Sequence, residues 1–162
     1  MRSQDTKAES ITFGIELETT IPVTSGVTVG GYHCGAPVQF GAEDVTCRTL
    51  PAPTFNGSYW RADRDGSIRC ENGRMACEFV SPILKGAEGV AHLLEFVGWA
   101  NAIGAKVNAS CGCHITVGVS SIICTRDPQA MSEFARKLAH IARWHAMSLY
   151  GQTGAGRHLN NY

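Results

Sequence analysis

Residues 11–20 read ITFGIELETT, and the alternation in this stretch decides how the chain begins to fold. Ile11, Phe13, Ile15 and Leu17 fall on one face of an extended strand, while Thr12, Gly14, Glu16, Glu18 and Thr20 fall on the other. The spacing predicts a strand with one apolar face for a core. Its two glutamates stand about 6–7 Å apart on the opposite face. A half-buried antiparallel strand asks only that such a face meet water. Whether this face does more depends on whether other segments repeat the pattern.

Two segments do. In CGCHITVGV, residues 111–119, Cys111, Cys113, Ile115, Val117 and Val119 form an apolar face, and Gly112, His114, Thr116 and Gly118 form the other. In CEFVSP, Glu78 stands between Cys77 and Phe79, ahead of a strand-breaking Pro82. The candidate site residues are therefore Glu16, Glu18, Glu78 and His114. Gathered in one concavity, three carboxylates would repel one another and lose several kcal/mol of hydration apiece. A divalent cation resolves that conflict, and a donor set of oxygens with one imidazole suits Mg²⁺ or Mn²⁺ better than Zn²⁺. A zinc site from Cys111, Cys113 and His114 is the competing arrangement. In a regular strand both thiols point away from the imidazole, and the C-x₂-C spacing of structural zinc is missing. Asp63 and Asp65 in DRDGS do not meet the calcium-loop spacing and read as a hairpin turn.

Composition narrows the classes. With 162 residues, 44% of them hydrophobic, the chain is expected to form one domain with a core of its own. Fourteen basic residues balance fourteen acidic ones, so the charge signature of a nucleic-acid binder or a polybasic membrane binder is missing. Ten of the fourteen basic residues are Arg, which suits recognition of small anions. The polar start MRSQDTKAES and the lack of a long apolar run argue against a signal peptide or a membrane span, and a cytoplasmic location is expected. Seven cysteines, an odd number, then point to reduced thiols.

Further along, Pro22 to Phe55 reads as short strands and loops, Tyr59 to Ala62 as a strand entering the DRDGS turn, and a return strand is expected from about Ile68. Another strand runs through MACEFVSPI. Gly86 to Gly104 carries Val90, Leu93, Leu94, Val97 and Ala100 at helical spacing, with Gly104 as C-cap. A second helix starts at the N-cap Asp127 and Pro128, continues through Met131, Phe134, Leu138 and Ile141, and ends near Gly151. Strands, helix, strands, helix predict an α+β fold, an antiparallel-rich sheet with two main helices on one face. After the last helix, GQTGAGRH lacks the ending of a Walker A loop. It is either a cap and tail or a segment that brings Arg157 to a phosphate.

In this order FGIELE, Trp60 followed by ADRDGSI, EFVSPIL, the helix after KGAEG, GAKVNASCGCHITVG, and finally G-x-G-R and NNY resemble the amidoligase family of the glutamine synthetase and glutamate-cysteine ligase superfamily. The resemblance runs from Ile11 to Tyr162, with a poorly matching insertion over 24–58. It implies a sheet forming part of a funnel, with Glu16, Glu18, Glu78 and His114 as metal ligands and Arg157 on a nucleotide phosphate. The implied catalytic set is Glu16, Glu18, Glu78 and Arg157, with ATP and Mg²⁺ or Mn²⁺ as cofactors. The implied reaction joins the carboxylate and the amine of small-molecule or peptide substrates through an acyl-phosphate. Where family members often read CGLHVHVG this chain has CGCHITVG, so Thr116 replaces a second His. The family pattern also extends past the point where this sequence stops. The domain is therefore expected to be incomplete at its C-terminus, with room for another chain or copy to complete the site. A non-catalytic nucleotide- or metal-binding module and a metal-assisted hydrolase are the alternative readings.

Overall fold

The computed structural model describes residues 11–38, 59–119, 123 and 126–153, apart from the side chains at 146, 147 and 149–153. The chain divides into two compact units, residues 1–118 and 119–162. In the first, β1 (Thr12–Pro22), β2 (Ala36–Pro37), β3 (Arg61–Asp63), β4 (Arg74–Val80), β5 (Leu84–Lys85), α1 (Gly86–Ala102) and β6 (Cys113–Gly118) follow one another. The six strands form one open antiparallel sheet in the order β2-β3-β4-β1-β5, with β6 also paired to β1. Glu16 and Leu17 pair with both β4 and β6, which makes β1 the interior strand with those two on opposite sides.

The alternation of β1 sorts its faces. Ile15, Thr19 and Ile21 are buried beneath α1 together with Cys77 and Phe79 of β4, Ala62 of β3 and Trp60 just before it. Aromatic stacking sets the helix against this layer: Trp60 and Phe96 lie face to face with centroids 3.5 Å apart, and Phe79 meets Phe96 edge-on at 5.2 Å. The Trp60 indole N–H donates to His92 Nε2 at 3.2 Å, so the buried ring keeps a polar partner. Cys77 belongs to the same layer, and burial pushes its thiol up to about 12. Arg74 fastens the far end, donating to Thr20 Oγ1 on β1 at 2.9 Å and to the Gly104 carbonyl beyond α1 at 2.7 Å. Gly104 takes φ +81, the left-handed conformation that closes a helix.

The second unit holds α2 (Pro128–Thr153). Asp127 Oδ1 accepts from the backbone N–H of Gln129 at 2.9 Å and of Ala130 at 3.2 Å, as the sequence predicts for its N-cap. Two helices and an open antiparallel sheet make this an α+β fold. Among the described residues no helix is long and apolar enough to cross a membrane.

Three local expectations change. No strand forms at Ile68. Asp65 Oδ1 instead accepts the Ser67 N–H at 2.6 Å, and the chain loops on until Gly73, at φ +78, turns it into β4. The buried stripe of α1 is Gly89, His92, Phe96 and Ala100, while Val90 and Leu94 are exposed, because the aromatic stack and the indole bond fix the rotation of the helix. In β6, Ile115 and Val117 are exposed although they lie on the apolar face: among the described residues the strand is at the margin of the sheet, paired to β1 alone.

Phe96→Ala removes the ring that both Trp60 and Phe79 contact. It is expected to cost about 3–5 kcal/mol in urea unfolding, whereas Leu94→Ala, on the exposed side, should cost well under 1 kcal/mol. Equal losses would contradict the helix rotation described.

Candidate metal centre

The polar face of β1 is the floor of the site. Cross-strand partners point to the same side of a sheet, so the register lists the neighbours. Glu18 faces Glu78 of β4, Glu78 faces Asp63 of β3, and Glu16 faces Val80 of β4 and His114 of β6. Glu16, Glu18, Glu78 and His114 thus share one face. Arg157 lies outside the described residues.

Glu18 is the best-anchored carboxylate. The Gly112 N–H donates to its Oε2 at 2.7 Å, and His114 Nε2 lies 3.1 Å from its Oε1. A Cβ on residue 112 would come 3.0 Å from Glu18 Oε1, a tight contact that would push the carboxylate a few tenths of an ångström from the backbone just before β6. The imidazole orients Glu18 while remaining 59% exposed.

A residue that the sequence leaves in a turn joins them. One oxygen each from Glu18, Asp65 and Glu78 lie within 4.8 Å of one another, and among the described residues this is the group whose donor spacing fits a metal ion. The Cys111, Cys113 and His114 alternative does not form such a group. The Ser67 N–H holds Asp65 in place and, as the largest cause, keeps its carboxyl below the usual range. Glu16 sits in the neighbouring row, opposite His114 and outside this trio.

Asp63 is the second carboxylate that pattern reading passed over. It is 1% exposed, and neither of its oxygens has a hydrogen-bond partner among the described residues. The Arg61 guanidinium stands 3.7 Å away, too far for a hydrogen bond, and a side chain on Gly35 would collide with the Asp63 carboxylate. Burial pushes the Asp63 carboxyl up, Arg61 and His33 oppose the shift, and Glu16 adds to it. Glu78 is raised too, first by burial and then by the charges of Glu16, Asp65, Glu18 and Asp63. The available signal was Asp63 and Asp65 two residues apart at the end of a strand. The β3–β4 register places Asp63 opposite Glu78, and the loop after β3 brings Asp65 to the same carboxylate.

This donor set fits a hard divalent cation. It consists of carboxylate oxygens with an imidazole at the edge, in a place where negative charge exceeds the nearby positive charge of Arg61. Fold and site together define an α+β protein whose open sheet presents a carboxylate-rich face able to hold such an ion. The sequence model of the family described as "Putative amidoligase enzyme" matches residues 9–152, and the chain belongs to that family. Membership supports an enzyme of ligase type. No curated protein matches the chain, and no solved structure does.

The raised carboxyls have a consequence for stability. In the metal-free protein Glu78 keeps a proton that the unfolded chain has already released, so stability falls as pH rises from the ordinary glutamate range through the raised value. Glu78→Gln removes this slope. In EDTA it should raise stability at pH 7 by about 1 kcal/mol or more and converge with the parent protein at pH 4. A gap that does not change with pH would contradict the burial argument.

Proposed function

We propose that the protein is an ATP- and Mg²⁺-dependent carboxylate–amine ligase that forms an amide bond through an acyl-phosphate. The observation that carries this reading is the convergence of Glu18, Asp65 and Glu78 beside the orphaned carboxylate of Asp63. Structural acidic residues are normally paired or solvated, and buried like charges lose several kcal/mol unless a cation compensates them. Membership of the family supplies the reaction class.

In this reading Glu18, Asp65 and Glu78 hold Mg²⁺ or Mn²⁺, and His114 and the Gly112 N–H fix the angle of Glu18. When bound, the ion neutralises phosphate oxygens and the charge that develops during phosphoryl transfer. A substrate carboxylate oxygen attacks the γ-phosphorus of ATP, and ADP leaves. The amine nitrogen then attacks the acyl carbon, phosphate departs, and the nitrogen gives up a proton. Glu16, one row from the trio and across from His114, is the carboxylate placed to bind a further cation or to accept that proton. Arg157 would contact a nucleotide phosphate.

The test is ADP release measured with Mg²⁺, an amine and a panel of amino-acid and short-peptide carboxylates, each component omitted in turn. Turnover that needs all of them is expected. Asp65→Asn should abolish it, and His114→Ala should weaken Mn²⁺ binding by about 10–100-fold, the range for a group that orients a ligand. Metal binding without any turnover would favour a non-catalytic module, and ATP-independent release of product from an amide would favour a hydrolase.

A further inference from the structure

A cleft of about 740 Å³ opens beside the carboxylate trio. It is lined by Gly30 and Gly31, by residues of the 64–70 loop, and by Met75 and Ala76 of β4. Its volume falls within the range of pockets that enclose drug-sized ligands, larger than a single small amino acid needs. Asp65 belongs both to this cleft and to the trio, so the cleft and the candidate metal centre meet at that residue. Val29 and Met75, both half-buried, add apolar surface.

Arg64 provides the charge. It lines the cleft, is exposed, and makes no hydrogen bond or ion pair among the described residues, whereas Arg61 faces Asp63 and Arg74 is held by Thr20 and Gly104. A guanidinium presents parallel donors that match one carboxylate. One such group beside the negative Asp65 could not balance a triphosphate, which argues for the carbon substrate over the nucleotide here.

We infer that this cleft holds the acyl donor, a peptide-sized acid with a second anionic group, its reacting carboxylate directed to the trio at Asp65 and its second carboxylate bound by Arg64. The inference rests on the ligase reading for the identity of the reacting end. The chemistry of binding is separate: an extended ligand covers the apolar surface of Val29 and Met75, and the guanidinium selects for the remote charge.

Calorimetry with Mn²⁺ and without ATP tests it, using acetyl-glycyl-glutamate and the same peptide carrying a C-terminal amide. The diacid should bind about tenfold more tightly than the amide, the worth of one charge-assisted contact. Arg64→Gln should remove that preference and leave Mn²⁺ affinity unchanged. Gly66 lines the cleft and a Cβ there meets nothing within 4 Å, so Gly66→Leu adds bulk at the lining without a clash at Cβ and should weaken both peptides. Equal binding of the two peptides, a preference that survives Arg64→Gln, or indifference to Gly66→Leu would each overturn the assignment. The two readings fail separately. ADP release that is insensitive to Arg64→Gln counts against the cleft alone, whereas Arg64-dependent peptide binding with no ADP release under any condition counts against the ligase reading alone.

Discussion

Glu18 and Glu78 face each other across the β1–β4 ladder, and most of the structure answers to that pairing. Like charges directly opposite in a sheet destabilise it, and here the conflict extends to Asp63 in the same row, with Asp65 reaching in from a loop. The chain supplies partial remedies: an N–H from Gly112 and an imidazole for Glu18, a backbone N–H for Asp65, and a distant guanidinium for Asp63. None of them neutralises Glu78, whose carboxyl is raised by burial and by its four acidic neighbours. A divalent cation held by Glu18, Asp65 and Glu78, as proposed above, would offset this repulsion at the place where the chain itself supplies least.

The opposite face makes the strain tolerable. Trp60, Phe79, Phe96 and Ile21 are wholly buried beneath that sheet, and each such side chain contributes on the order of 1.5–3 kcal/mol. Because strand alternation puts the aromatic layer and the acidic row on successive residues, Phe79 next to Glu78 and Ala62 next to Asp63, the core fixes the position of each carboxylate. A one-residue slip of β4 would bring Phe79 to the acidic face and Glu78 beneath α1, so hydrophobic burial also enforces the register of the site.

The parts legible in the sequence were those governed by strict periodicity. ITFGIELETT announced a strand with two distinguishable faces, Asp127 and Pro128 announced the start of α2, and the order of strands, helix, strands and helix carried the α+β class. The rotation of α1 was hidden because periodicity favoured Val90 and Leu94, whereas the decisive contacts are aromatic and involve Trp60, 36 positions before Phe96. Asp65 was hidden for a related reason. Its neighbours in sequence look like a turn, and its neighbours in space come from strands that only the β3–β4 and β1–β4 registers bring together.

Thr116 completes the electrostatic argument. It pairs with Gly14 at the next position of the polar face beyond the Glu16–His114 pair, where family members often carry a second His. An imidazole there could share negative charge from Glu16; a threonine hydroxyl can offer one hydrogen bond and no net charge. On the β6 side His114, 3.1 Å from Glu18, is then the imidazole beside the acidic row, while Arg61 and His33 act on Asp63 and Arg64 lines the cleft. An anionic acyl donor bound as inferred above would therefore have the Arg64 guanidinium at the cleft and the His114 imidazole across the sheet as its separate sources of positive charge.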